Sequence, residues 1–289
     1  MALVTDPVAP DTPGYLRGMP LTDRWHLHPP AEIVAGHFAL VDTATGEQVD
    51  FEITEVDADS PVPHAPQRHG LAQGGKRYGF FETPSGLARD LRFVARDLPA
   101  CGYKTYRLQP LAAPLPRPRP SRRRKRVIEN EFYRLEADRD AGRLVSVIDR
   151  EADRELLDPQ APHALGELVV RTPEGLLDPP TPLAGPNVQR GAVCERLSLS
   201  ATAPGHPQVH LTCTLMRGLK RLDLALRLLK DPTPLLDAHL AFPFALPEPR
   251  FRYESLLALQ TPPEDFLPGA FWDEVAVQNW VRLSGGGLS

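Results

Sequence analysis

V-H-L-T-C-T-L-M-R-G-L-K-R-L-D-L-A-L-R-L-L, residues 209–229, decides the fold class. Leu211 and Cys213 recur at every second position, Arg217-Gly218 is a turn signal, and Leu222, Leu224, Leu226 and Leu228 then resume the same two-residue period. That is the spacing of a strand with one buried face, although leucine, alanine and arginine are good helix formers. Two strands joined by a short turn are therefore predicted. Upstream, Leu197-Ser198-Leu199 and its flanks read as another strand, separated from Val209 by the turn dipeptide Pro204-Gly205.

Further out, Tyr133, Leu135 and Ala137 alternate with Arg134 and Glu136, and the turn Asp140-Ala141-Gly142 leads into the apolar run Leu144 to Ile148, a hairpin pattern. Val49, Phe51 and Ile53 alternate with Asp50, Glu52 and Thr54 just after Thr45-Gly46. Residues Leu91 to Leu108 read as two strands around Pro99 to Gly102. Strand follows strand with no crossover helix, which implies an all-β chain of antiparallel sheets.

Composition agrees. The 33 prolines among 289 residues break helix interiors and favour short strands joined by irregular turns. With 42% hydrophobic and 24% charged residues, the chain can fill two modest cores. Residues 1–30 are proline-rich and without periodicity, a coil whose end Trp25 could pin; 31–109 form a small antiparallel β-sandwich domain. Residues 110–126 carry five prolines and then Arg122, Arg123, Arg124, Lys125 and Arg126, so they read as a solvated linker. Residues 127–289 form the start of a larger β-sandwich.

A net charge of −4 and a pI near 6.1 give no global attraction for nucleic acid or acidic membranes. The basic run could pair with an oxyanion, yet no aromatic residue interleaves it to stack on bases. Cys101, Cys194 and Cys213 form neither a disulfide framework nor a C-x-x-C zinc pair, so a reducing, cytoplasmic setting is expected. No apolar run reaches the length of a membrane helix.

Among the nine histidines, His26 and His28 could share one side of an extended chain, but two imidazoles with no third ligand nearby make a poor metal site. Asp237 and His239 share a strand face, where a structural contact outweighs a catalytic couple. Phosphate-cradling glycine loops and the G-x-S-x-G elbow are absent; Gly285-Gly286-Gly287 reads as a turn. Carboxylate pairs for glycoside hydrolysis cannot be chosen from 37 acidic residues by spacing, because their separation is set in space. The residues by themselves therefore identify no catalytic centre.

Five stretches resemble the carboxy-terminal region of glycoside hydrolase family 38, the α-mannosidases. They are D-L-P-A-C-G-Y-K-T-Y-R-L (97–108), I-E-N-E-F-Y-R-L (128–135), G-R-L-V-S-V-I-D-R (142–150), H-L-A-F-P-F (239–244) and L-P-G-A-F-W-D-E-V-A-V-Q-N-W-V (267–281). The resemblance implies a small β domain followed by part of a large sandwich of the galactose mutarotase-like supersandwich type. In that family a separate amino-terminal barrel carries an aspartate nucleophile, an acid/base and a zinc ion, and begins with an H-x-D-x-x-W motif. This chain has no H-x-D, so no catalytic residue and no cofactor is assigned to it; zinc is expected only in the missing barrel.

The resemblance implies a non-catalytic portion of an α-mannosidase-like hydrolase, an internal or split fragment whose partners are a mannoside carbohydrate and a separate catalytic-barrel chain. The alternatives are a stand-alone carbohydrate-binding or mutarotase-like sandwich, and an interaction protein acting through its basic linker. Aromatic rings stack on sugar C–H faces, so Trp272, Trp280 and Tyr253 are the candidate carbohydrate contacts. Trp280 leads, because Gln278 would share its face in a strand and could bond a hydroxyl.

Overall fold

Phe38-Ala39-Leu40-Val41-Asp42 is buried along its whole length, and that explains why it shows no alternation: a strand covered on both faces has no polar side to display. A computed structural model describes residues 37–55, 89–113, 126–232, 236–256, 258–270 and 274–286. Every regular element among them is a strand, and every recorded pairing is antiparallel. The all-β, sandwich-like class expected from the sequence is the class observed.

In chain order the strands are β1 (Phe38–Asp42), β2 (Gln48–Val49), β3 (Phe51–Glu55), β4 (Arg89–Phe93), β5 (Tyr106–Pro110), β6 (Val127–Glu129), β7 (Tyr133–Ala137), β8 (Leu144–Asp149) and β9 (Arg154–Glu155). They continue as β10 (Leu168–Thr172), β11 (Gly175–Leu176), β12 (Thr181–Arg190), β13 (Cys194–Ala203), β14 (His206–Met216) and β15 (Leu222–Leu229). The last four are β16 (Asp237–Leu240), β17 (Arg250–Ser255), β18 (Ala258–Gln260) and β19 (Val281–Ser284). The sheets run β2-β1-β5, β3-β4, β6-β7-β8-β9, β11-β10-β16, β12-β13-β14-β15 and β18-β17-β19.

The chain divides into two compact units. The first takes residues 1–123 with 189–196 and 215–221; the second takes 124–188, 197–214 and 222–289. In the first, β1 supplies the core, Phe38 stacks on Phe51 at 4.8 Å, and Phe93 meets Tyr106 edge-on. The turn after β1 is closed by Asp42, whose carboxylate accepts from the Ala44 amide at 2.9 Å and from Lys104 at 2.6 Å. The Lys104 ammonium holds that carboxyl below its ordinary value, and the carboxylate raises Lys104 in return. The contribution of Asp42 is complete above the ordinary carboxylate range and fades only as pH falls through its depressed value.

The second unit is built on Ile128, Leu135, Leu144, Leu165 and Leu197, all essentially fully buried, and on Leu168, Val170 and Val209, against which Leu226 packs. Gly166 shows why glycine is required where β10 begins. Its φ is +73°, and a Cβ there would lie 2.6 Å from Leu211 Cδ2, so any side chain would be both strained and overpacked.

Of the basic run assigned to a solvated linker, residues 122–125 lie outside the described residues. Arg126 does not behave as part of a free linker: its guanidinium pairs with Glu136 at 3.2 Å, and its carbonyl accepts from the Ala137 amide. Backbone pairing with β7 has already begun there, which fixes the side chain beside an acid.

Glu155, in β9 beside β8, gathers donors from β8 and from the chain that follows. Its carboxylate accepts from Ser146 Oγ at 2.6 Å and from the amides of Val147, Leu156 and Leu157 at 2.8, 3.1 and 3.0 Å. Val147 and Leu157 are buried, so truncation leaves their amides without that acceptor and without water. Glu155→Ala is expected to cost about 2–4 kcal/mol in urea unfolding. Glu155→Gln, which keeps one acceptor oxygen, should lose less than half as much.

Candidate functional site

Strand β17 alternates Arg250, Phe251, Arg252, Tyr253 and Glu254, and its two faces have different fates. Phe251 and Tyr253 lie on one face with ring centres 5.7 Å apart, and Tyr253 is only 3% exposed. Its hydroxyl donates to Gln260 of the neighbouring β18. The opposite face carries Arg250, Arg252 and Glu254, and the register with β19 sets Arg252 directly across from Arg282.

Immediately before β19 the chain presents Trp280, 44% exposed. The Glu254 amide donates to the Trp280 carbonyl at 3.1 Å, and the Gln278 amide donates to the Glu254 carbonyl at 2.9 Å. The side-chain amide of Asn279 donates to Glu254 Oε2 at 2.8 Å. A half-exposed tryptophan thus directly follows in sequence an asparagine whose side-chain amide is bonded to a carboxylate of β17. That combination offers an apolar face for sugar C–H groups and polar atoms for hydroxyls.

The sequence-based site residues fare differently. Trp280 and Gln278 are both exposed, but neither lies in a strand, since β19 starts at Val281. The shared face expected from strand alternation therefore does not arise; Gln278 reaches β17 through its backbone amide and Asn279 through its side chain. The Tyr253 ring is part of the core and its hydroxyl is engaged by Gln260. Trp272 lies outside the described residues. Asn279 and Glu254 were adjacent to the chosen residues in sequence, but their bond spans 25 positions and no local period reports it.

Other clusters point to structure. In the first unit, Glu52 Oε1 accepts from Arg196 Nη2 at 2.5 Å and from the Cys194 thiol at 2.9 Å, with Arg92 Nη1 at 3.6 Å. Gly191 lies so close that a Cβ would run into the Glu52 carboxylate. Burial, with the Glu52 charge adding to it, pushes the Cys194 thiol far above its ordinary value. Burial alone pushes Cys213 up to about 12. Neither thiol is a nucleophile at neutral pH, because the reactive species is the thiolate.

In the second unit, His163 Nδ1 lies 3.0 Å from Glu167, a contact at i,i+4 spacing that the sequence reading did not single out. Glu167 also accepts from the Ala164 amide at 3.0 Å, and the Glu167 amide returns a bond to the Ala164 carbonyl. Imidazole and carboxylate thus close a turn and do not face each other across a cavity. Asp237 turns to Arg171 at 3.3 Å, and Arg171 reaches Glu274 at 2.8 Å. Among the described residues, no three His, Cys, Asp or Glu side chains gather as metal ligands, and no helix is long and apolar enough to cross a membrane. His26 and His28 lie outside those residues.

No protein-family model and no curated protein matches the chain.

The three cysteines are free, Cys101 exposed and the other two buried. The native chain should therefore react with one equivalent of a thiol reagent such as Ellman's at neutral pH, and with three equivalents in denaturant. Rapid reaction of more than one thiol in the native chain would contradict the inert roles given to Cys194 and Cys213.

Proposed function

We propose that the chain is a non-catalytic, carbohydrate-associated β-sandwich portion of an α-mannosidase-like glycoside hydrolase, one that completes or lines the site of a catalytic barrel carried elsewhere. The observation that carries this reading is the order of the five family-like stretches over residues 97–281, on a chain whose regular elements among the described residues are antiparallel strands. Residues 128–135 enter β6 and β7, 142–150 contain β8, and 239–244 leave β16.

In this reading the sugar contact is Trp280, supported by the Asn279–Glu254 pair and by the nearby amide of Gln278. Zinc and the reacting carboxylates belong to the barrel, so no reaction step is assigned to any residue of this chain. The free cysteines suit a reducing, cytoplasmic compartment.

The purified chain is expected not to hydrolyse an aryl α-mannoside; zinc-dependent turnover by the chain alone would overturn the assignment. Titration of intrinsic fluorescence with a manno-oligosaccharide should give a weak saturable change that Trp280→Phe abolishes without lowering the melting temperature. An unchanged titration in Trp280→Phe would remove Trp280 from the site, and a large loss of stability would show its ring to be structural.

A further inference from the structure

Strands β17 and β19 set two guanidinium groups against each other. Their register pairs Arg252 with Arg282 and Arg250 with Ser284. Alternation puts these four residues on the face opposite Phe251, Tyr253 and Leu283. Directly opposed residues of an antiparallel pair have Cβ atoms about 4.5–5.5 Å apart, and like charges at that spacing destabilise the pair. Three cations and one hydroxyl on two neighbouring rows therefore repel one another unless a counter-charge enters.

Among the described residues no side chain supplies it: no carboxylate lies within ion-pair distance of Arg250, Arg252 or Arg282. The acid on the same face, Glu254, accepts from Asn279, and Asp265, in the loop after β18, accepts from the Thr261 amide. Other arginines of the second unit are matched: Arg126 and Arg134 meet Glu136, and Arg171 meets Asp237 and Glu274. Arg252 is moreover half-buried, where an uncompensated charge costs more than at an open surface.

We propose that Arg252 and Arg282 form an oxyanion site, with Arg250 and Ser284 as its second row, and that its ligand is a phosphate group, free or carried as an ester. A carboxylate has two oxygens, enough for one guanidinium fork, whereas a phosphate presents three or more and can be gripped from both strands at once. Its charge of about −1.5 to −2 near neutral pH also answers three cations better than a single negative charge does. The Ser284 hydroxyl adds a neutral donor. The ladder fixes the Cα positions of both opposed arginines, so their spacing exists before the anion arrives.

The test is thermal unfolding of the full chain in inorganic phosphate at neutral pH, with chloride adjusted so that ionic strength stays constant. The wild-type melting temperature should rise saturably over about 0.1–30 mM phosphate, the affinity range of a few charge-assisted bonds. Arg252→Gln and Arg282→Gln should each weaken binding about tenfold or more. Without phosphate at low ionic strength, Arg282→Gln should melt no lower than the wild type, because it removes the repulsion; its lost response is then not a lost fold. Arg217→Gln, which removes an exposed arginine of the first unit, should respond as the wild type does. A hexose phosphate that binds more tightly than inorganic phosphate assigns the group to a sugar, and equal affinity assigns it to a free ion; both support the site. A wild type with no saturable response, a response kept in both glutamine variants, one lost equally in Arg217→Gln, or an Arg282→Gln chain that melts well below the wild type without phosphate would each overturn the proposal.

Discussion

A backbone amide that leaves a strand must find an acceptor outside the ladder or stay solvated, and this constraint organises the described residues, whose regular elements are all strands. Carboxylate and amide side chains meet it at turn after turn. Asn130 Oδ1 accepts from the amides of Phe132 and Tyr133, Asp138 from Asp140 and Ala141, and Asp149 from Glu151 and Ala152. Asp158, Glu155, Glu167 and Asp265 do the same for their own loops. These bonds are local, so each turn is specified by its own residues. The strands can then be short because their ends are held.

The first unit solves a different problem. Its strands β3 and β4 are joined to the residues around Cys194 through one carboxylate, Glu52, which meets two guanidinium groups and a thiol. An acid so little exposed is tolerated only with opposite charge and donors arranged around it. Arg196 supplies the shortest contact, while the thiol donates because burial keeps it protonated. The contribution is one of specificity: Gly191 leaves room for the carboxylate, and each neighbour gives it a partner that other arrangements would lack.

Half-buried strands were legible in the sequence because their side chains alternate. Tyr133–Ala137, the run from Leu144, Val209–Leu215 and Leu222–Leu228 all fall within observed strands, and Pro204-Gly205 and Arg217-Gly218 are observed turns. At residues 222–229 the alternation prevailed over helix propensity, as tertiary pairing routinely does. What stayed hidden has physical reasons. β1 is buried throughout and so has no period, while β12 carries prolines that argue against a strand except at an edge, where it lies. No linear division of the chain could assign residues 189–196 and 215–221 to the first unit. At the candidate site the exposed Trp280 was named, but the burial of Tyr253 and the Asn279–Glu254 bond depend on register, which local sequence does not encode.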